Sequence, residues 1–153
     1  MSVETVKERT IIGIRDKVND PGSLFASALP MLFSYCAEHG TVIAGPPLGI
    51  YYDVADGTFD MAVALPVEGP AEPRDTSMFV GSLPGGRVVR GTHVGPYDQI
   101  TQAWGVLMDH AESVGLTRLD GPCWEEYKLG PESGENPSEW RTDLVQPVTE
   151  PDE

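Results

Sequence analysis

Thr41-Val-Ile-Ala-Gly-Pro-Pro-Leu-Gly-Ile-Tyr51 and Thr117-Arg-Leu-Asp-Gly-Pro-Cys-Trp-Glu-Glu-Tyr127 carry one pattern, Thr-x-x-x-Gly-Pro-x-x-x-x-Tyr. Each copy follows a helix-like segment closed by a glycine, Gly40 in the first case and Gly115 in the second. Each also leads to a strand that ends in Pro-Val, at Pro66-Val67 and Pro147-Val148. Ordered matches of this kind after a helix indicate a chain built from two similar halves.

Working outward from the first copy, residues 10–15 read as a short apolar strand. Residues 23–39 read as a helix with Phe25, Ala28, Leu29, Leu32 and Cys36 on one stripe. Pro30 should kink or restart that helix, because its ring cannot join the hydrogen-bond ladder. Residues 42–53, broken by Gly-Pro-Pro, and residues 59–66 read as strands, and residues 68–75 as a solvated linker. In the second half, residues 77–82 and 87–94 read as strands joined by Leu83-Pro84-Gly85-Gly86, with the Pro-Gly centre of a type II turn. Gly95-Pro96 opens a helix over about residues 97–114, with Ile100, Trp104, Leu107, Met108 and Ala111 on its apolar stripe. Strands over residues 117–128 and 140–145 complete the half. The expectation is an α+β fold. Two pseudo-symmetric βαββ units form one antiparallel sheet, with two helices on one face and a pocket on the other. One domain over residues 1–148 and a short acidic tail over 149–153 fit the length.

Ten Lys and Arg against 24 Asp and Glu give a net charge of -14. The basic residues are dispersed, so no stripe can neutralise consecutive phosphates, and direct nucleic-acid binding and docking on anionic lipid are not expected. The N-terminus lacks the basic and apolar regions of a signal peptide, and the longest apolar run is too short to cross a bilayer. Cys36 and Cys123 lack CxxC spacing and read as reduced core residues of a cytoplasmic protein. The three histidines have no ligand-like spacing, so neither a metal nor a cofactor is expected. Phosphate-binding and hydrolase signatures are absent.

Trp124-Glu125-Glu126-Tyr127 is the most informative strand. Alternation puts Glu125 and Tyr127 on one face and Trp124 and Glu126 on the other. In the first copy Leu48 and Ile50 hold the register of Trp124 and Glu126, which assigns that face to the helix-covered core. Tyr51, Tyr127 and Glu125 would then line an aromatic crevice on the open face. An ionised Glu125 there suits a lipophilic cation, through charge pairing and cation–π contact. A partly desolvated Glu125 suits acid–base work with Tyr127 donating a hydrogen bond. A third reading leaves Glu125 on a wet outer face. His93 stands at a helix entry where its imidazole can bond local backbone, Tyr97 at a helix start, Trp104 and Trp124 in core positions, and Trp140 where it can point either way.

The run Leu83-Pro-Gly-Gly-Arg-Val-Val-Arg-Gly-Thr-His-Val-Gly-Pro-Tyr-Asp98 resembles the signature of GyrI-like small-molecule-binding domains, also called bacterial transcription activator effector-binding domains. Gly45-Pro-Pro…Tyr51-Tyr-Asp53, Phe59-Asp…Leu65-Pro-Val67, Gly121-Pro…Trp124-Glu-x-Tyr127 and Trp140-Arg-Thr-Asp…Pro147-Val148 agree, so the resemblance covers about residues 3–148. It implies a pseudo-symmetric pair of βαββ units with a pocket, and maps the family's pocket glutamate onto Glu125 and its partner tyrosine onto Tyr127. No helix-turn-helix precedes residue 3, so a stand-alone member is expected. The first expectation is a binder of small hydrophobic, aromatic or cationic compounds in multidrug or toxin resistance, with Tyr51, Tyr127, Tyr97, Trp140 and His93 around Glu125. The second is a hydrolase of cyclopropanoid alkylating toxins with Glu125 and Tyr127 as catalytic residues. The third is a gyrase-inhibitor-like protein with DNA gyrase as partner.

Overall fold

The structure is a computed structural model that describes residues 1–68, 78–96, 99–129 and 136–149. Most of the expected linker over 68–75, and Tyr97, lie outside the described residues. In chain order the elements are β1 Ser2–Val6, β2 Arg9–Val18, α1 Pro21–His39, β3 Val42–Ile43, β4 Leu48–Ala55, β5 Thr58–Glu68, β6 Met78–Leu83, β7 Gly86–Val94, α2 Ile100–Ser113, β8 Thr117–Arg118, β9 Cys123–Leu129, a 3-10 turn Pro137–Glu139, and β10 Arg141–Thr149. Among the described residues, two helices with antiparallel strands make this the expected α+β fold. The chain divides into two compact units, Lys7–Gly85 and Met1–Val6 with Gly86–Glu153.

In the first unit, α1 starts where Asp20 accepts a hydrogen bond from the Gly22 N–H at 3.0 Å and Pro21 takes the first turn. The helix therefore begins earlier than its apolar stripe suggests, and it runs on through Pro30 without restarting. It ends at Gly40 (φ 64°), where the Thr41 N–H reaches back to the Cys36 carbonyl at 3.0 Å. Leu24, Ala28, Leu32, Tyr35 and Cys36 pack on Ile12 and Ile14 of β2 and on Met61, Val63, Leu65 and Val67 of β5. β5 pairs with β2, β4 and β3, and β2 also pairs with β6.

The second unit repeats this plan. β10 pairs with β7, β9 and β8, and β7 also pairs with β1. α2 lies on Val89, Leu144 and Val148 through Ile100, Leu107 and Ala111. Gly91 lets the helix approach, since a β-carbon there would stand 3.0 Å from Leu107 Cδ1. α2 closes with Gly115 (φ 83°) as its N–H bonds the Glu112 carbonyl and the Leu116 N–H bonds that of Ala111, a Schellman motif.

Three expectations are corrected. β1 was not anticipated; it is a largely exposed polar edge strand with no apolar period to announce it. The strand expected over 77–82 belongs to the first unit, because Phe79 seats its ring over Gly13 of β2 and Gly81, at 3.0 and 3.3 Å from where their β-carbons would lie. Leu83-Pro84-Gly85-Gly86 is not a type II turn, since the positive φ (129°) falls on Gly86 rather than Gly85. No helix among the described residues is long and apolar enough to cross a membrane.

Candidate functional site

The faces of β9 follow from its register with β10. Glu125 stands opposite Leu144 and Tyr127 opposite Thr142, and Leu144 belongs to the core under α2. Glu125 and Tyr127 therefore share the α2 side of the sheet. Contact with the helix is direct: the Trp104 indole Nε1 donates to Glu125 Oε2 at 2.7 Å, and the Tyr127 hydroxyl donates to Glu125 Oε1 at 2.5 Å. Glu125 is 4% exposed. An indole N–H has no acceptor capacity, so Trp104 must be the donor and Glu125 the acceptor. A buried carboxylate therefore receives one donor on each oxygen, the indole N–H of Trp104 and the hydroxyl of Tyr127.

This reverses the expectation that Glu125, Tyr127 and Tyr51 face away from the helices. In the first unit, too, Tyr51 stands opposite Met61 and packs on the α1 core, in edge contact with Phe59 at 6.1 Å between ring centres. The inference failed because β4 at Leu48–Ile50 and β9 at Trp124–Glu126 are buried on both sides. Leu48 (0%), Ile50 (1%) and Trp124 (1%) are fully covered on the face opposite the helices, so apolar character does not mark the helix side. The reading of Glu125 as a wet surface charge is excluded by its burial.

The other candidates distribute as follows. His93 lies beside Thr142 on β7, and its Nε2 donates to the Pro96 carbonyl at 2.9 Å, the local backbone role expected at the helix entry. Trp140 precedes β10, half-buried, and its carbonyl accepts from the Gly95 N–H at 2.8 Å. Burial pushes the Cys123 thiol at the head of β9 up, and the nearby Glu125 charge adds to this against Arg118. Cys36 is raised by burial as well, and both cysteines are free. No group of three or more His, Cys, Asp or Glu converges to hold a metal among the described residues.

Two features escaped the sequence. The apolar stripe of the helix predicts only packing for Trp104, although a tryptophan on a covered stripe needs an acceptor for its N–H. The repeat held the missing signal, for Glu125 occupies the place of Gly49. On the opposite face of the same sheet, Arg90 binds Asp143 (2.9 Å), Glu126 (3.3 Å) and Glu4 (3.2 Å), while Lys128 and Thr92 also reach Asp143, at 3.1 and 2.8 Å. Burial alone would raise the Asp143 carboxyl. The hydrogen bonds from Thr92, Lys128 and Arg90 outweigh it and hold the group below its ordinary value. For Arg90 burial works downward, but Glu126, Asp143 and Glu4 hold it above its ordinary value.

The fold has clear relatives among solved structures. The EcmrR chain in its complex with DNA superposes with a TM-score of 0.87 at 20% identity, over 97% of this chain and 57% of that one. The chain thus spans little more than half of that relative. The isolated EcmrR C-terminal domain gives 0.84 at 21% identity, with 97% and 96% covered. A hydrolase from Listeria innocua gives 0.70 at 16% (97% and 91%), and SAV2435 bound to tetraphenylphosphonium gives 0.61 at 15% (97% and 93%). At these identities the likeness is one of fold. A search of curated proteins finds no match. The model of the GyrI-like small molecule binding domain matches residues 1–149, nearly the whole chain, and the protein belongs to that family.

Proposed function

We propose that the protein binds lipophilic, aromatic cations, with the Glu125 carboxylate as counter-ion and Trp104 and Tyr127 as the aromatic groups beside it. The observation that carries this reading is the buried carboxylate held by those two donors on the α2 side of the sheet. A buried anion is costly unless it is hydrogen-bonded, and a soft organic cation is a partner that needs little hydration of its own. The relative with tetraphenylphosphonium bound supports the ligand class. Drug or toxin protection is the role such binding would serve.

Calorimetric titration tests the reading, with tetraphenylphosphonium and neutral triphenylphosphine oxide against wild type and Glu125→Gln. Glu125→Gln should weaken the cation by about tenfold or more, roughly 1.4 kcal/mol, and leave the neutral compound nearly unchanged. Equal losses for both compounds would remove the counter-ion role.

A second reading, hydrolysis of cyclopropanoid alkylators, draws on the Glu125–Tyr127 pair and on the relative described as a hydrolase. It asks Tyr127 to polarise a substrate carbonyl, yet the single phenolic proton is directed at Glu125. Binding is therefore the preferred reading. Ring-opened product over many turnovers with wild type, and none with Glu125→Gln, would reverse that preference.

A further inference from the structure

Thr142 is fully buried (0% exposed), and its hydroxyl has no hydrogen-bond partner among the described residues. Buried polar groups are nearly always paired, so an orphan hydroxyl in a core position calls for an explanation. Thr142 stands directly across from Tyr127 on one side and from His93 on the other, on the side of β10 that carries Leu144 toward α2. The Tyr127 hydroxyl is given to Glu125 and His93 Nε2 to the Pro96 carbonyl.

The sister unit shows what the fold itself requires here. There the repeat tyrosine, Tyr51, stands across from Met61, which is also 0% exposed and belongs to the α1 core. One step along, Gly49 faces Val63 where Glu125 faces Leu144. The second unit thus replaces glycine with a carboxylate and methionine with a hydroxyl, on one face of two adjacent strands. A third polar exchange, Gln146 for Leu65, differs in kind: Gln146 satisfies itself by donating to the Pro147 carbonyl at 2.9 Å.

We propose that the Thr142 hydroxyl is a specificity contact of the Glu125 site, reading a hydrogen-bonding oxygen on a lipophilic cation whose charge is met by Glu125. The proposal rests on the cation reading above and narrows its ligand class. Glu125 and Thr142 are diagonal neighbours across the β9–β10 pair, roughly 7–8 Å apart with their β-carbons somewhat closer, a span that one substituted aryl ring bridges. A threonine hydroxyl both donates and accepts, so hydroxyl, ether and carbonyl oxygens all qualify. Any ligand that reaches the Glu125 carboxylate must part the side chains covering it, and Thr142 lies one strand away on the same face of the sheet.

The test uses the intact chain with tetraphenylphosphonium and its meta- and para-hydroxyphenyl analogues, titrated into wild type, Thr142→Val, Thr142→Ser and Glu125→Gln. Thr142→Val keeps the shape and removes only the hydroxyl, so it should melt no lower than wild type. It should bind tetraphenylphosphonium within about twofold of wild type, and lose about 5- to 30-fold for at least one hydroxylated analogue. Thr142→Ser should retain that affinity. Thr142→Val binding all three cations as wild type does, or losing the same factor for all three, overturns the Thr142 contact while the cation site stands. Wild type binding none of the three, or Glu125→Gln weakening none, overturns the cation reading and the Thr142 contact with it.

Discussion

Trp104→Phe tests the core of the site, because it removes the N–H given to Glu125 and keeps an aromatic ring on α2. A hydrogen bond to a charged group contributes roughly 1.5–3 kcal/mol net. Glu125 is 4% exposed, so water does little to replace the lost donor, while the Tyr127 bond remains to hold part of the charge. Trp104 itself is half-buried, which limits the packing loss on shrinking the ring. The sum is about 2–3 kcal/mol, and for a domain of this size each kcal/mol moves Tm by roughly 2–4 °C, so Tm should fall by about 4–12 °C. Packing and hydrogen bonding are then separated by a double-mutant cycle with Glu125→Leu, which removes the acceptor. Urea unfolding of the four proteins should give a coupling energy of about 1.5 kcal/mol, with Trp104→Phe costing much less once the carboxylate is gone. A coupling below about 0.5 kcal/mol, the scatter of independent sites, would refute the claim that the indole bond holds Glu125.

The remaining predictions concern the frame around that site. Asp143→Asn breaks a buried ion network and should cost about 3 kcal/mol near neutral pH by urea unfolding, the lower end for such pairs because asparagine can still accept from Thr92. The Asp143 carboxyl lies below its ordinary value of 3.8, so its stabilisation is complete above that pH and disappears as pH falls through the folded-state value. The gap between wild type and Asp143→Asn should therefore close in acid; a gap independent of pH would remove the network's ionic contribution. Gly13→Ala places a methyl 3.0 Å from both Phe79 Cε1 and the Val63 carbonyl oxygen, and should cost about 1–3 kcal/mol. Phe79→Leu in that background should recover only part of the loss, since the carbonyl cannot move aside. Asp20→Ala removes the α1 cap and should lower stability by about 1 kcal/mol, read as a Tm decrease of roughly 2–4 °C with ligand binding unchanged.

What the sequence could announce was local. Gly40 and Gly115 end helices because a positive φ costs glycine little, and the apolar stripes of both helices were read from their period. What it could not announce depends on contacts between distant segments. β6 joins β2 through a ring lying over Gly13 and Gly81, which no pattern within 78–83 reveals. The alternation within the strand does not tell the side of the sheet that Glu125 occupies, because β4 at Leu48–Ile50 and β9 at Trp124–Glu126 are buried on both faces, which erases the contrast that usually separates core from solvent. The repeat nevertheless contained the answer in another form. Two units with the same strand pairings and the same helix placement make each other's control: whatever the fold needs at a position, the sister unit also needs. Glycine at 49 and methionine at 61 meet that need in the first unit. A carboxylate at 125 and a hydroxyl at 142 belong to the second unit alone: Glu125 serves the Trp104 indole and the Tyr127 hydroxyl there, whereas the buried Thr142 hydroxyl serves no group among the described residues. On the reading proposed above, that unpaired hydroxyl beside a buried carboxylate is where the fold departs from its own rules for a ligand.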